Sequence, residues 1–228
     1  MMGTGMIARA ALMGAAVVLG SSMLAPNARA DMLVFDLTQS NLGAGFTGPF
    51  IQVTVNRTST TTATLTFDSL TNGGNLYLMH TNGAAAANIN AATFTVGSIV
   101  ATGPFNAPSG ASGGSRTEDG FGTFNASINL TDGFQTGASE ITFTVTNTSA
   151  TWASAANVLT PNASGNSLAA QIGACATPCT NVDTITTTGF ASVDKLVPGP
   201  IVGAGLPGLV MACGGLLALA RRRRQKFA

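Results

Sequence analysis

The chain has 228 residues, with 10 basic and 9 acidic side chains, a single histidine and a formal net charge of +1. That balance hides an asymmetry: between residues 31 and 197 only Arg57, Arg116 and Lys195 stand against all nine acids, a net of −6 (3 − 9). A segment with three scattered cations lacks the electrostatic footprint of a nucleic-acid binder, which excludes that class.

Residues 1–30 read as a secretory signal peptide. Arg9 supplies the positive start and residues 10–20 an apolar core, and Ala28-Arg29-Ala30 gives a small-x-small cleavage site before Asp31. The core is too short to span a bilayer comfortably, and Pro26 follows it closely. Cleavage between Ala30 and Asp31 is therefore expected.

The body, residues 31–196, is long enough for one domain with a real core. Threonine makes up 30 of the 167 residues from 31 to 197. That β-branched side chain suits strands. Alternation is plain in Thr62-Ala63-Thr64-Leu65-Thr66-Phe67, where Ala63, Leu65 and Phe67 share one face. Ile141, Phe143 and Val145 repeat the pattern, as do Phe124, Ala126, Ile128 and Leu130. Period two with one apolar face predicts half-buried antiparallel strands. Further strands are expected over 32–37, 50–57, 76–80, 93–101 and 190–194. Turns are expected at Asn72-Gly73-Gly74 and Asp132-Gly133. The Ala-rich stretch 82–92 reads as a loop or short helix, and 105–120, rich in Gly, Ser and Pro, as a long disordered loop. Eight to ten short strands without an amphipathic helix predict an all-β fold, an antiparallel β-sandwich or jelly roll.

Few residues here carry chemistry. Cys175 and Cys179 lie in the exported part, where a local disulfide persists; zinc would need four ligands and a thioredoxin-like pair a different spacing. His80, the only histidine, ends an apolar strand with no Gly-framed serine for a triad, and reads as a surface residue. Glu118, Asp119 and Glu140 are the carboxylates a hydrolase would use, but Glu118 and Asp119, as neighbours on a strand, point to opposite faces. Trp152 and Tyr77 could form an exposed platform for sugars, although burial is the commoner fate of a lone Trp in a sandwich. Calcium could draw on Glu118, Asp119 and Asp132, without an Asp-x-Asp-x-Asp loop to support it. No catalytic cluster, metal site or cofactor is expected.

The chain ends in Val197-Pro198-Gly199-Pro200, then 201–220 without a charge, then Arg221, Arg222, Arg223, Arg224, Gln225 and Lys226. Twenty helical residues at ~1.5 Å each cover the ~30 Å core of a bilayer. The basic cluster favours the cytoplasmic side and acts as a stop to transfer, placing the body across the membrane. A Pro-containing motif, an apolar span and an Arg-rich end resemble the PEP-CTERM sorting signal of Gram-negative bacteria, with Gly199 where the family motif has Glu. The resemblance implies an exosortase-type transpeptidase as partner, cleavage near 197–200, and a surface or extracellular destination. The body also resembles β-rich domains of such proteins, in residues 119–125, 152–155, 169–172 and 188–191. The expected function is a non-enzymatic structural or adhesive surface protein associated with exopolysaccharide. The alternatives are a carbohydrate- or calcium-binding module and, third, a secreted hydrolase.

Overall fold

The computed structural model describes residues 31–104, 109–130 and 137–193. The expected signal peptide (1–30), the Asp132-Gly133 turn, the sorting segment (197–228) and Cys213 lie outside the described residues. Among the described residues no helix is long and apolar enough to cross a membrane.

The fold is all-β and its sheets are antiparallel. One sheet contains β1 (Asp31–Leu37), β3 (Ile51–Arg57), β4 (Thr62–Ser69), β8 (Phe94–Thr102) and β13 (Glu140–Asn147), ordered β1-β3-β4-β13-β8. Its strands alternate in burial because each side chain reverses face at every residue: Val53, Val55, Leu65, Phe67, Ile141, Phe143 and Val145 are fully buried. The intervening residues, mostly threonines, face outward and lie in register, with Thr54 beside Thr66 and Thr66 beside Thr142.

The second sheet is less regular. It orders β2 (Gln39–Ser40), β15 (Ile185–Ser192), β14 (Leu168–Ala176), β7 (Ala85–Ala87), β12 (Ala126–Leu130) and β9 (Gly110–Ser112). β6 (Asn75–Met79) also pairs with β14, and β5 (Thr71–Asn72) with β6. Gly73 and Gly74, at φ +57 and +78, make the tight turn between β5 and β6 that Asn72-Gly73-Gly74 predicts.

Ala85, Ala87, Ile128, Leu168, Ala170 and Ile172 of the second sheet pack with Phe35, Leu65, Phe67 and Phe143 of the first in one core. The opposite face of the second sheet is covered as well. A hairpin of β10 (Arg116–Glu118) and β11 (Gly122–Phe124) lays Phe121 and Phe124 on Ala86 and Ala169, with Phe190 alongside. Asn41 holds the hairpin tip at the Asp119 carbonyl (3.1 Å), and Asn162 and Asn166 both donate to the Phe121 carbonyl (3.0 Å each).

Several expectations change. The Ala-rich stretch holds a buried strand, β7, since alanine is small enough for a layer covered on both faces. The stretch 105–120 is not one long loop: it contains β9 and β10, leaving 105–108 outside the described residues. Phe124 does not share a face with Ala126, Ile128 and Leu130. The strand breaks at Asn125, whose side-chain amide bonds both the N–H and the C=O of Ile89 (2.7 and 2.9 Å). Of the expected strand 190–194, residues 190–192 are the end of a longer one, β15; Val193 lies beyond it and Asp194 outside the described residues.

Candidate functional site

The buried polar groups gather on the covered face of the second sheet. β6 and β7 line up along the same edge of β14, and residues 80–84 between them form an irregular link. Thr81 takes φ +59, an uncommon conformation for a β-branched residue, and Gly83 takes φ +81. The link is tied down on both sides. Gln171 donates its N–H to the Gly83 carbonyl (2.9 Å) and accepts from His80 N–H (3.3 Å). The Thr81 hydroxyl donates to Gln171 Oε1, and Leu130 N–H donates to the Thr81 carbonyl (2.9 Å). Asn129 Oδ1 accepts from Gly83 N–H (2.9 Å) and from the Ser127 hydroxyl (3.1 Å).

Two titratable side chains lie over this link. The Glu118 carboxylate, fully buried, sits against Gly83, in the space a Cβ there would need. Neither carboxylate oxygen has a hydrogen-bond partner among the described residues, and Arg116 Nε lies 3.5 Å from Oε1. Burial raises the Glu118 pKa to about 7 and Arg116 opposes the rise. Burial prevails because the guanidinium is a third exposed and at a long contact distance. His80 is also fully buried; its ring crosses Gly173, where an added Cβ would lie 2.7 Å from Nε2. Burial lowers its pKa to about 4, against a hydrogen bond with the Ile172 backbone. The expectation of a surface histidine is thus overturned: the absent Cβ of Gly173 leaves the room that the buried imidazole occupies.

The four hydrolase candidates, Glu118, Asp119, Glu140 and His80, are not brought together in one site. Glu118 and His80 belong to the second sheet and its hairpin, while Glu140 lies on the outer face of the first sheet, opposite Asp68. The Asp68–Glu140 neighbours are a carboxylate pair that sequence reading missed, since 72 positions separate them in the chain and only strand pairing joins them. Burial, and then the Glu140 charge, raise the Asp68 pKa. Asp119 is exposed and lies in the turn that follows β10, so it is not the strand neighbour of Glu118 that the sequence suggests. Among the described residues no three His, Cys, Asp or Glu side chains group as metal ligands.

Neither aromatic forms a platform. Trp152 is 2% exposed, its Nε1–H donating to the Asn90 carbonyl (2.8 Å). Tyr77 is buried edge-on against Phe50, with ring centroids 4.8 Å apart. An open depression of about 480 Å³ lies beside Trp152, lined by Asn90, Asn147, Ser149 and Thr151 among others, with no charged side chain. At the far end of β14, Cys175 and Cys179 are joined as a disulfide, Cα to Cα 5.5 Å.

Compared with known proteins, the chain matches no family model, no curated protein and no solved structure.

Proposed function

We propose that this chain is an exported surface or matrix protein whose β-sandwich body, of jelly-roll type, has a structural or adhesive rather than catalytic role. Its C-terminal segment would sort it through an exosortase-type transpeptidase. The observation that carries the reading is Asp31. Asp31, the residue that follows the expected cleavage site, is paired with Arg57 across β1 and β3, and both oxygens of its carboxylate are engaged. Oδ1 accepts from Arg57 Nε at 2.9 Å, and Oδ2 accepts from Ala155 N–H at 2.9 Å. A chain cut before Asp31 keeps every one of these contacts. A disulfide near the surface, few charges and an outward threonine array suit an oxidising exterior.

Mass spectrometry of the surface fraction, from cells with and without the transpeptidase, tests this. A mature protein beginning at Asp31 and ending within 197–200 only when the enzyme is present is the expected result. A chain still running from Met1 to Ala228 in both would overturn it. A second reading, a carbohydrate-binding module, draws on the uncharged depression beside Trp152, which suits a neutral hydroxylated ligand. Selective retention on a glycan array, lost in Trp152→Phe at equal folding, would favour it over the purely structural role.

A further inference from the structure

A sheet edge presents unpaired backbone N–H and C=O groups, and soluble proteins blunt such edges with short strands, bulges, lysine or proline. Among the described residues, every sheet edge but one is blunted in such a way. In the second sheet the outer strands are only two residues (β2, β5) or three residues (β9) long. In the first sheet β8 has nine residues, but its pairing slips between Thr142 and Thr144, and Ser98 beside Gly97 takes φ +50. β1 is different. All seven of its residues pair with β3 without a shift, its outer side has no partner strand among the described residues, and it contains no Lys, Pro or Gly. Of the three exposed large apolar side chains among the described residues, two lie on it: Met32 at 58% and Val34 at 42%.

We propose that β1 is a homotypic docking edge, on which β1 of a second copy pairs antiparallel about a two-fold axis at Val34. Symmetry selects the register, because only a centre at Val34 pairs all of Asp31–Leu37. It sets Val34 against Val34 of the second copy and Leu33 against Phe35, so both faces continue from one copy into the next. It also keeps acids apart: Asp31 comes opposite Leu37, Asp36 opposite Met32, and the two acids point to opposite faces. Asp31 is moreover already neutralised by Arg57, and Asp36 Oδ1 accepts from Gln52 Nε2 (3.1 Å). The 3-10 turn Ala155–Asn157 lies beside this strand, its Ala155 N–H donating to Asp31 Oδ2 (2.9 Å).

One strand pair buries less than the roughly 1,200–2,000 Å² of a stable complex, so the contact is weak in dilute solution. Copies confined to a surface meet at a high effective concentration, where weak pairing becomes populated. The inference rests on the fold alone and stands whether or not the chain is exported.

The test uses the full-length protein in detergent, carrying Cys213→Ser, with Val34→Cys compared against Val100→Cys. Val100 is 53% exposed on the bulged edge strand and serves as the control. In the proposed register the two Val34 Cα atoms lie about 4.5–5.5 Å apart, within disulfide range. Mild oxidation should give several-fold more cross-linked dimer for Val34→Cys than for Val100→Cys, rising with concentration. Adding Met32→Asp, which sets like charges opposite each other at Asp36 of the second copy, should lower it to the control level. Dimerisation through the C-terminal segment would not favour position 34. Equal cross-linking at 34 and 100 across all concentrations would overturn the proposal. Should Val34→Cys fail to reach the parent's circular dichroism, an equimolar mixture of Met32→Cys and Asp36→Cys replaces it. Those residues face each other in this register and no other, and absence of the mixed dimer is equally decisive.

Discussion

The two sheets share one core but solve different burial problems. The first is apolar inside and hydroxylated outside, so its polar side chains keep water as a partner. The second is covered on both faces, by the core on one side and the β10–β11 hairpin on the other. Every polar group it places on the covered face must find a partner within the protein or bear the cost of desolvation. Hence Ser127, Asn129, Gln171 and Thr81 bond to one another and to backbone, whereas Thr64 and Thr144 stand in open rows. The lesson is that covering a sheet's second face turns its polar residues from spectators into structural commitments.

Where both sheets contribute to the shared core, the largest effect is expected. Phe143 is fully buried and stacks on Phe67 at 6.0 Å, in the centre of the first sheet. Phe143→Ala should cost about 3–5 kcal/mol through lost burial and the cavity left behind. Chemical denaturation measures it, and a loss below that of a surface substitution would mean that the sheets do not share a core.

This first sheet is also the part most legible in sequence. Thr62 to Phe67 and Ile141 to Val145 alternate because one face meets oil and the other water, and their inward residues are buried as expected. The same logic explains what was illegible. β14, Leu-Ala-Ala-Gln-Ile-Gly-Ala-Cys-Ala, is buried nearly throughout, so period two vanishes and small residues take over. β7 is three alanines. The polar cluster was hidden for a related reason: Glu118 and Gln171 come from separate strands, His80 and Gly83 from the link between two others, and no local pattern announces that a hairpin will fold back over them. The one available signal was Gly83 and Gly173, small residues beneath two large titratable ones.

The covered face should also respond to pH in a way the open face does not. Glu118 has a folded pKa raised from 4.5 to about 7, so the fold favours its protonated form. The unfolded chain binds fewer protons at this group between those values. Stability from Glu118 is therefore full below pH 4.5 and is lost as pH rises through 7. His80 runs the other way: its pKa is lowered from 6.5 to about 4, so its contribution is full above 6.5 and is lost as pH falls through 4. Each shift corresponds to at most about 3 kcal/mol, and between pH 4.5 and 6.5 the two slopes oppose each other. Glu118→Gln removes one of them. Relative to the parent, the variant should gain up to about 3 kcal/mol as pH rises from 4.5 to 8, read from denaturant midpoints at both values. A parent-minus-variant difference independent of pH would show that the carboxylate is hydrated, and the covered face open.

The smallest effects decide the comparison most directly, because one hydroxyl donor is removed from each sheet. Ser192, on β15, is fully buried; its hydroxyl donates to the Leu168 carbonyl (2.7 Å) and lies 3.1 Å from Asn166 Oδ1. Ser192→Ala leaves both acceptors without that donor in a site water does not enter, which should cost about 1–3 kcal/mol. Thr144, on β13, donates to the Gly97 carbonyl at 2.8 Å, a bond of similar length on the outer face. Thr144→Val keeps the β-branched shape that a strand favours, and water replaces the lost donor, so the change should stay within about 0.5 kcal/mol. The two shortest hydrogen bonds are of similar length, so access to water is the main difference between the two sites. If both substitutions cost the same, the geometry of the bond rather than the cover over the sheet governs its worth, and the distinction between the two sheets fails.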